Sequence, residues 1–315
     1  MADQLKSSDD HEGTEKDSLF SRSALRSAPG QGQASSSSRG TGDNHLTPAY
    51  PSFDIPSILQ GIDRNLHSYD MSHAKRGKAV IFNHEDFHPN TQMPRRRGTH
   101  HDVNNLKKQL TRLQFDVIVH QDLTVVQLWD AITYVSSESH ENSDCFICVF
   151  LTHGDNDIIY AHDGVLKLQD LFDRFRGERC KSLVGKPKIF LIQACRGEEH
   201  ETGIDAMDGV KDIDVADAGP RPTVPCGADF LLAYSVVQGF YSHRDTGFGS
   251  WFIQALTFVM ERYGTTMEFT DMLLLVNHIV SQRSVQMCSD PSMIGKKQIP
   301  CFISILTKKL YFNPK

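Results

Sequence analysis

Ile189-Phe190-Leu191-Ile192-Gln193-Ala194-Cys195-Arg196-Gly197 runs from four apolar residues straight into a polar, reactive segment. A short apolar run of this kind reads as a strand buried on both faces, as at the centre of a parallel sheet. In open α/β sheets, groups just past the carboxyl end of a central strand line the crevice where ligands bind. Cys195 stands at that point. A lone cysteine after a strand is most often core packing, because free cysteine is among the most buried residue types. Its neighbours along the chain therefore decide its role.

Working outward, similar β-rich runs occur at Ala79-Val80-Ile81-Phe82, Phe115-Asp116-Val117-Ile118-Val119 and 145–151. Between them, Val103-Leu106-Leu110-Leu113 and Val125-Leu128-Ile132-Val135 have the spacing of amphipathic crossover helices. Further on come a strand at 230–234, helices near 251–263 and 269–280, and a last strand at 302–306. This alternation predicts an α/β fold with a mainly parallel sheet covered by helices on both faces.

The chain has 315 residues, of which 39% are hydrophobic, enough for a sizeable core. Its formal charge of −6, from 39 acidic and 33 basic residues, offers no overall attraction to nucleic acid or an anionic membrane. No run reaches the length of a membrane span, and the first residues lack the apolar region of a signal peptide. The 7 cysteines are odd in number and widely spread, which fits free thiols in a reducing compartment. Residues 1 to about 66 are rich in Ser, Gly, Asp and Gln and read as a disordered leader. Residues 198–225 have the composition of an exposed loop and carry Asp205, Asp208, Asp212, Asp214 and Asp217.

Upstream of Cys195, Thr152-His153-Gly154 ends another apolar strand, so His153 is expected to emerge at the same sheet edge. A cysteine and a histidine so placed form a nucleophile and a proton carrier, the thiolate attacking a carbonyl and the imidazolium protonating the departing amine. The backbone N–H groups of Gly154 and Cys195 are candidate oxyanion donors. Other residues have plainer readings. Cys145 and Cys148 have CxxC spacing, but residues three apart in a strand face opposite sides, and no second pair accompanies them. His100 and His101 read as part of a solvated surface loop, and Cys180, Cys226, Cys288 and Cys301 as packing or surface residues. Trp251 is ambiguous between core and pocket.

Gln193-Ala194-Cys195-Arg196-Gly197 with its upstream histidine resembles the signature of the caspase family, and the resemblance extends over about 69–315 with separate motifs in the same order. It implies a three-layer fold with a central, mostly parallel six-stranded sheet flanked by helices. It also implies a cysteine endopeptidase that cuts after aspartate without cofactor or metal. The residues that grip the substrate aspartate map onto Arg96, Gln193 and Arg244. The chemistry agrees: guanidinium forks bind carboxylates bidentately, and two buried arginines would stay unpaired against any neutral side chain.

Ser242-His243-Arg244, Val280-Ser281-Gln282-Arg283, Cys288-Ser289-Asp290-Pro291-Ser292 and Ile294-Gly295-Lys296-Lys297-Gln298 resemble one of the executioner members of that family. That likeness implies cleavage of Val-Glu-Ile-Asp-like sites, nuclear lamins included. Ser242 and His243 then line the groove, His243 facing the second residue before the cut, and Trp251 walls the pocket for the fourth. It also implies a zymogen with a leader (1–68), a large-subunit part (69–217), a cleavable loop (198–225) and a small-subunit part (218–315). The leader is longer, and the loop shorter and differently worded, than in that member. Candidate cleavage points are Asp17, Asp208 and Asp217, cut by an upstream caspase or by the protein itself. The working form is expected to be a homodimer of large-plus-small units in the cytoplasm, with the nucleus as a further compartment. The alternative, a catalytically silent homologue acting as regulator or scaffold, predicts a missing nucleophile, histidine or pocket arginine, and each is present. A recruitment adaptor would need a folded module before the protease part, for which the leader has too few apolar residues.

Overall fold

A computed structural model of the chain describes residues 14–16, 68–197, 227–288 and 290–315. The chain order begins with β1 (Thr14–Lys16), β2 (Lys78–Asn83), α1 (Thr99–Arg112), β3 (Asp116–Gln121), α2 (Val125–Ser137) and β4 (Phe146–Leu151). A small region follows: β5 (Gly154–Asp155), β6 (Ile158–Tyr160), β7 (Val165–Lys167) and α3 (Leu168–Phe172). The chain continues with β8 (Lys188–Gln193), β9 (Phe230–Tyr234), β10 (His243–Asp245), β11 (Gly249–Ser250), α4 (Trp251–Tyr263), α5 (Phe269–Ser281) and β12 (Cys301–Ser304).

Six strands form the central sheet in the order β12-β9-β8-β4-β2-β3. All neighbours are parallel except β12, which pairs antiparallel with β9 at one edge. Strand alternation divides the core into two faces. Ala79, Ile81, Ile147 and Val149 pack with Leu106 and Leu110 of α1 and with the apolar sides of α4 and α5. Val80, Phe82, Phe146, Cys148 and Phe150 pack with Leu128, Ile132 and Val135 of α2 and with α3. Each large apolar side chain so buried contributes about 1.5–3 kcal/mol. The three-layer expectation is met. Helix α2 starts on a capping box, with Thr124 and Gln127 exchanging side-chain and backbone bonds.

Several local readings change. His100 and His101 lie in the first turn of α1 and not in a loop. Gly98, in the left-handed region at φ 82, turns the chain directly into the helix there. The last strand is Cys301–Ser304 and stops short of Leu306. Strands β5 to β7 form a separate antiparallel sheet that apolar spacing did not announce. Within the leader, Thr14–Lys16 form a strand, β1, which pairs with β10. The loop 198–225, Cys226 and the candidate cleavage points Asp17, Asp208 and Asp217 lie outside the described residues. Cys145 and Cys148 belong to opposite core faces, and burial pushes both thiols up, which makes neither a ready thiolate. No helix among the described residues is long and apolar enough to cross a membrane.

Candidate active site

The parallel register of β4 and β8 pairs Leu151 with Gln193. His153 and Cys195 each lie two residues beyond that pair, on strands about 4.8 Å apart. They therefore leave the sheet at the same height and side by side. Thr152 N–H donates to the Gln193 carbonyl at 3.1 Å, which carries the pairing one step past β4. The His153 carbonyl accepts from Tyr160 N–H at 2.9 Å, so the small β5–β7 sheet fixes the histidine backbone.

The His153 ring is oriented from two sides. Its Nε2 lies 2.9 Å from the Pro94 carbonyl, and its centroid is 4.8 Å from that of Phe87. A carbonyl only accepts, so Nε2 carries the hydrogen and Nδ1 is the basic nitrogen of the neutral ring. Cys195 Sγ is 3.4 Å from Ser242 N, which donates toward it. Gly154 lies against the Ala194 side chain and the Cys195 backbone: a Cβ there would come within 2.9 Å of Ala194 Cβ and 3.0 Å of the Cys195 carbonyl oxygen. Only glycine permits that approach, and it brings two backbone segments together where a carbonyl oxygen could be held.

Arg96 comes from the segment that precedes α1 and Arg244 from β10, and both are fully buried. Arg96 Nη1 donates to the His84 carbonyl at 3.0 Å and to Thr99 Oγ1 at 3.1 Å, and Thr99 donates to Asn83 Oδ1 at 2.6 Å. The arginine is thereby anchored above the carboxyl end of β2. Arg244 Nε donates to the Arg97 carbonyl at 2.8 Å, linking β10 to the segment that holds Arg96. Gln193 Nε2 donates to Ser242 Oγ at 2.7 Å. His243 N–H donates to Gln298 Oε1 at 2.7 Å, and its ring lies 4.8 Å from that of Trp251. The Arg283 guanidinium covers Trp251 at 4.8 Å, and both line a cleft of about 370 Å³ with Asp245, Gln286 and Met287.

Arg96, His153, Gly154, Gln193, Cys195, Ser242, His243, Arg244 and Trp251 are thus linked in one cluster beyond the carboxyl ends of β2, β4 and β8. A model of the caspase domain matches residues 76–311. The chain belongs to the caspase family. Caspase-6 of Gallus gallus is 49% identical over 254 residues, covering 78% of this chain and 84% of its own length. Caspase-6 of Mus musculus is 49% identical over 257 residues, covering 78% and 92%, and that of Bos taurus 45% over 285, covering 88% and 96%. As a caspase of the executioner type, the chain is an aspartate-specific cysteine endopeptidase that acts in apoptosis, in a family made typically as zymogens.

Sequence reading missed three parts of this caspase site. Pro94 contributes only a carbonyl, and no side-chain pattern marks that role. Gln298 lies within a quoted motif, yet its contact with His243 spans 55 positions. Asp102, buried behind the arginines, sits at what looks like an ordinary polar position of an amphipathic helix.

Proposed function

We propose that Cys195 is the nucleophile and His153 the proton carrier, and that Arg96, Gln193 and Arg244 receive the substrate aspartate. The observation that carries this reading is the strand β1. It pairs antiparallel with β10, Thr14 opposite Asp245, Glu15 opposite Arg244 and Lys16 opposite His243. A peptide that continues this register by one residue meets Ser242, whose N–H is 3.4 Å from Cys195 Sγ. The residue after Lys16 is Asp17. On this reading Thr14-Glu15-Lys16-Asp17 is a self-substrate, and the bond after Asp17 is its scissile bond.

In this reading His153 Nδ1 takes the proton of the Cys195 thiol, and the resulting thiolate attacks the carbonyl carbon of the substrate aspartate, forming an S–C bond as the C=O π bond opens to the oxyanion. The backbone N–H groups of Gly154 and Cys195 stabilise the oxyanion. His153 then donates a proton from Nδ1 to the departing amine as the C–N bond breaks, and water later hydrolyses the thioester. His243 and Trp251 line the pockets for residues further from the cut, with a preference for Val-Glu-Ile-Asp-like sites such as those of lamins. Activation proceeds through Asp17, Asp208 and Asp217, by an upstream caspase or by the protein itself. That divides the chain into the leader, large part and small part already described. β12 is an edge strand with partly buried Phe302 and Ile303, suited to pairing with a second copy in a homodimer. The site of action is the cytoplasm and the nucleus.

The test is hydrolysis of matched fluorogenic peptides, Val-Glu-Ile-Asp against the same sequence ending in Glu or Asn, by the native chain and Cys195→Ala. Cleavage confined to the Asp peptide and abolished in the variant is expected. Equal cleavage of the Asn peptide, or activity surviving in Cys195→Ala, overturns the assignment.

A further inference from the structure

Asp102 is a fully buried carboxylate that the hydrolytic steps do not use. It lies in the first turn of α1, three residues beyond Thr99 and six beyond Arg96. Its oxygens leave that helix and reach the β10–β11 hairpin: Oδ1 accepts from Ser250 N–H at 2.8 Å, and Oδ2 from Ser250 Oγ–H at 2.6 Å. Ser250 stands opposite Arg244 across the hairpin. It also precedes α4 as its N-cap, where its side chain makes no capping bond to the helix and its hydroxyl instead donates to the Asp102 carboxylate. Gly249 keeps the approach close, since a Cβ there would be 2.4 Å from Asp102 Oδ1.

The same segment meets the hairpin a second time, where the Arg97 carbonyl receives Arg244 Nε. Residues 96–102 thus carry one pocket arginine and hold, at two points, the hairpin that carries the other. Asp102 is also within electrostatic reach of both guanidinium groups, each of which favours its ionised form. Two buried cations that must converge on one substrate carboxylate repel each other, and a buried carboxylate behind them offsets that repulsion.

We propose that Asp102 is a positioning residue for the aspartate pocket, its carboxylate tying the Arg244 hairpin to the helix start that bears Arg96 and acting as counter-charge to the pair. This rests on the reading that Arg96 and Arg244 receive the substrate aspartate. The role goes beyond packing, because the residue sets the separation of two groups that touch substrate without touching substrate itself.

The experiment compares Asp102→Asn, Asp102→Ala, Ser250→Ala and Arg96→Gln with the native chain. Steady-state hydrolysis of the Val-Glu-Ile-Asp peptide is measured beside alkylation of Cys195 by iodoacetamide, which needs no aspartate pocket. Asp102→Asn keeps the shape and can still bond Ser250, so its KM is expected to rise roughly three- to tenfold with kcat little changed. Asp102→Ala loses the tie as well, and its KM rises more than about tenfold; Ser250→Ala shifts KM in the same direction by less. Alkylation stays within about twofold throughout. If Asp102→Ala does not fold, the Asn and Ser250 variants decide. KM and the Asp-to-Glu selectivity unchanged in Asp102→Asn, while Arg96→Gln is strongly weakened, overturns the proposal alone. An unchanged KM in Arg96→Gln overturns the pocket reading and the proposal with it.

Discussion

Replacing Asp102 by Asn is expected to make this protein more stable at neutral pH while weakening its grip on substrate. Burial pushes the Asp102 carboxyl up from the ordinary 3.8 to about 6, and the Ser250 hydrogen bonds and the two arginines offset only part of that effect. A folded-state value above the unfolded one means that the native state binds the proton more tightly. Ionisation therefore costs nothing below about pH 4, costs progressively more between about 4 and 6, and costs its full amount above about 6. At about 1.4 kcal/mol per unit, the gap corresponds to about 3 kcal/mol as an upper bound. Asn has the same shape and no charge to desolvate, so the variant should gain up to that amount at pH 8 and nothing at pH 4. Urea denaturation at pH 8, 6, 5 and 4 measures it, with Cys195→Ala as the common background so that self-cleavage does not intrude. Parallel m-values would license the comparison. A variant no more stable than its parent at pH 8, or a gain that persists undiminished at pH 4, would refute the reasoning.

Two further perturbations test the active site. Gly154→Ala forces a methyl against Ala194 and Cys195, so kcat should fall about a hundredfold or more as the oxyanion donors move apart, with Cys195 alkylation retained; an unaltered kcat would remove Gly154 from the site. Asp17→Ala should leave the leader attached in material where the native chain loses residues 1–17, and the uncut strand beside β10 should slow peptide hydrolysis by competition. Intact-mass analysis and initial rates follow both, and equal loss of the leader in the variant counts against β1 as a substrate.

Much of this arrangement was legible in residues 79–82, 146–151, 189–192 and 230–234, because strands covered on both faces carry uninterrupted apolar side chains. Leu106, Leu110, Leu128 and Ile132 marked their helices for the same reason, each facing a layer of that sheet. Strands β5 to β7 are two or three residues long, too short to show a period, so the support beneath His153 stayed invisible. Pro94 acts through a backbone carbonyl and β1 through backbone pairing, and neither leaves a side-chain signature. His100 and His101 misled because they follow three arginines and a glycine, a loop-like composition that here continues directly into a helix.

Asp102 shows why a polar residue in an amphipathic helix can be misjudged. Its α1 neighbours Val103, Leu106 and Leu110 face the core through apolar contact, which tolerates exchange of similar volume. Asp102 faces the core through two hydrogen bonds and two oppositely charged partners, so an exchange of similar volume that removes its charge alters the pocket. An amide there would fold more stably by the pH argument above, and the native chain nonetheless carries the charge. The arginines supply the reason: a pocket built for one aspartate places two cations in a water-poor recess before any substrate arrives. One carboxylate behind them leaves a single net positive charge, which the substrate's own carboxylate then neutralises. The combination of higher stability with higher KM in Asp102→Asn is thus the signature to seek, since a residue kept only for packing would lose both together.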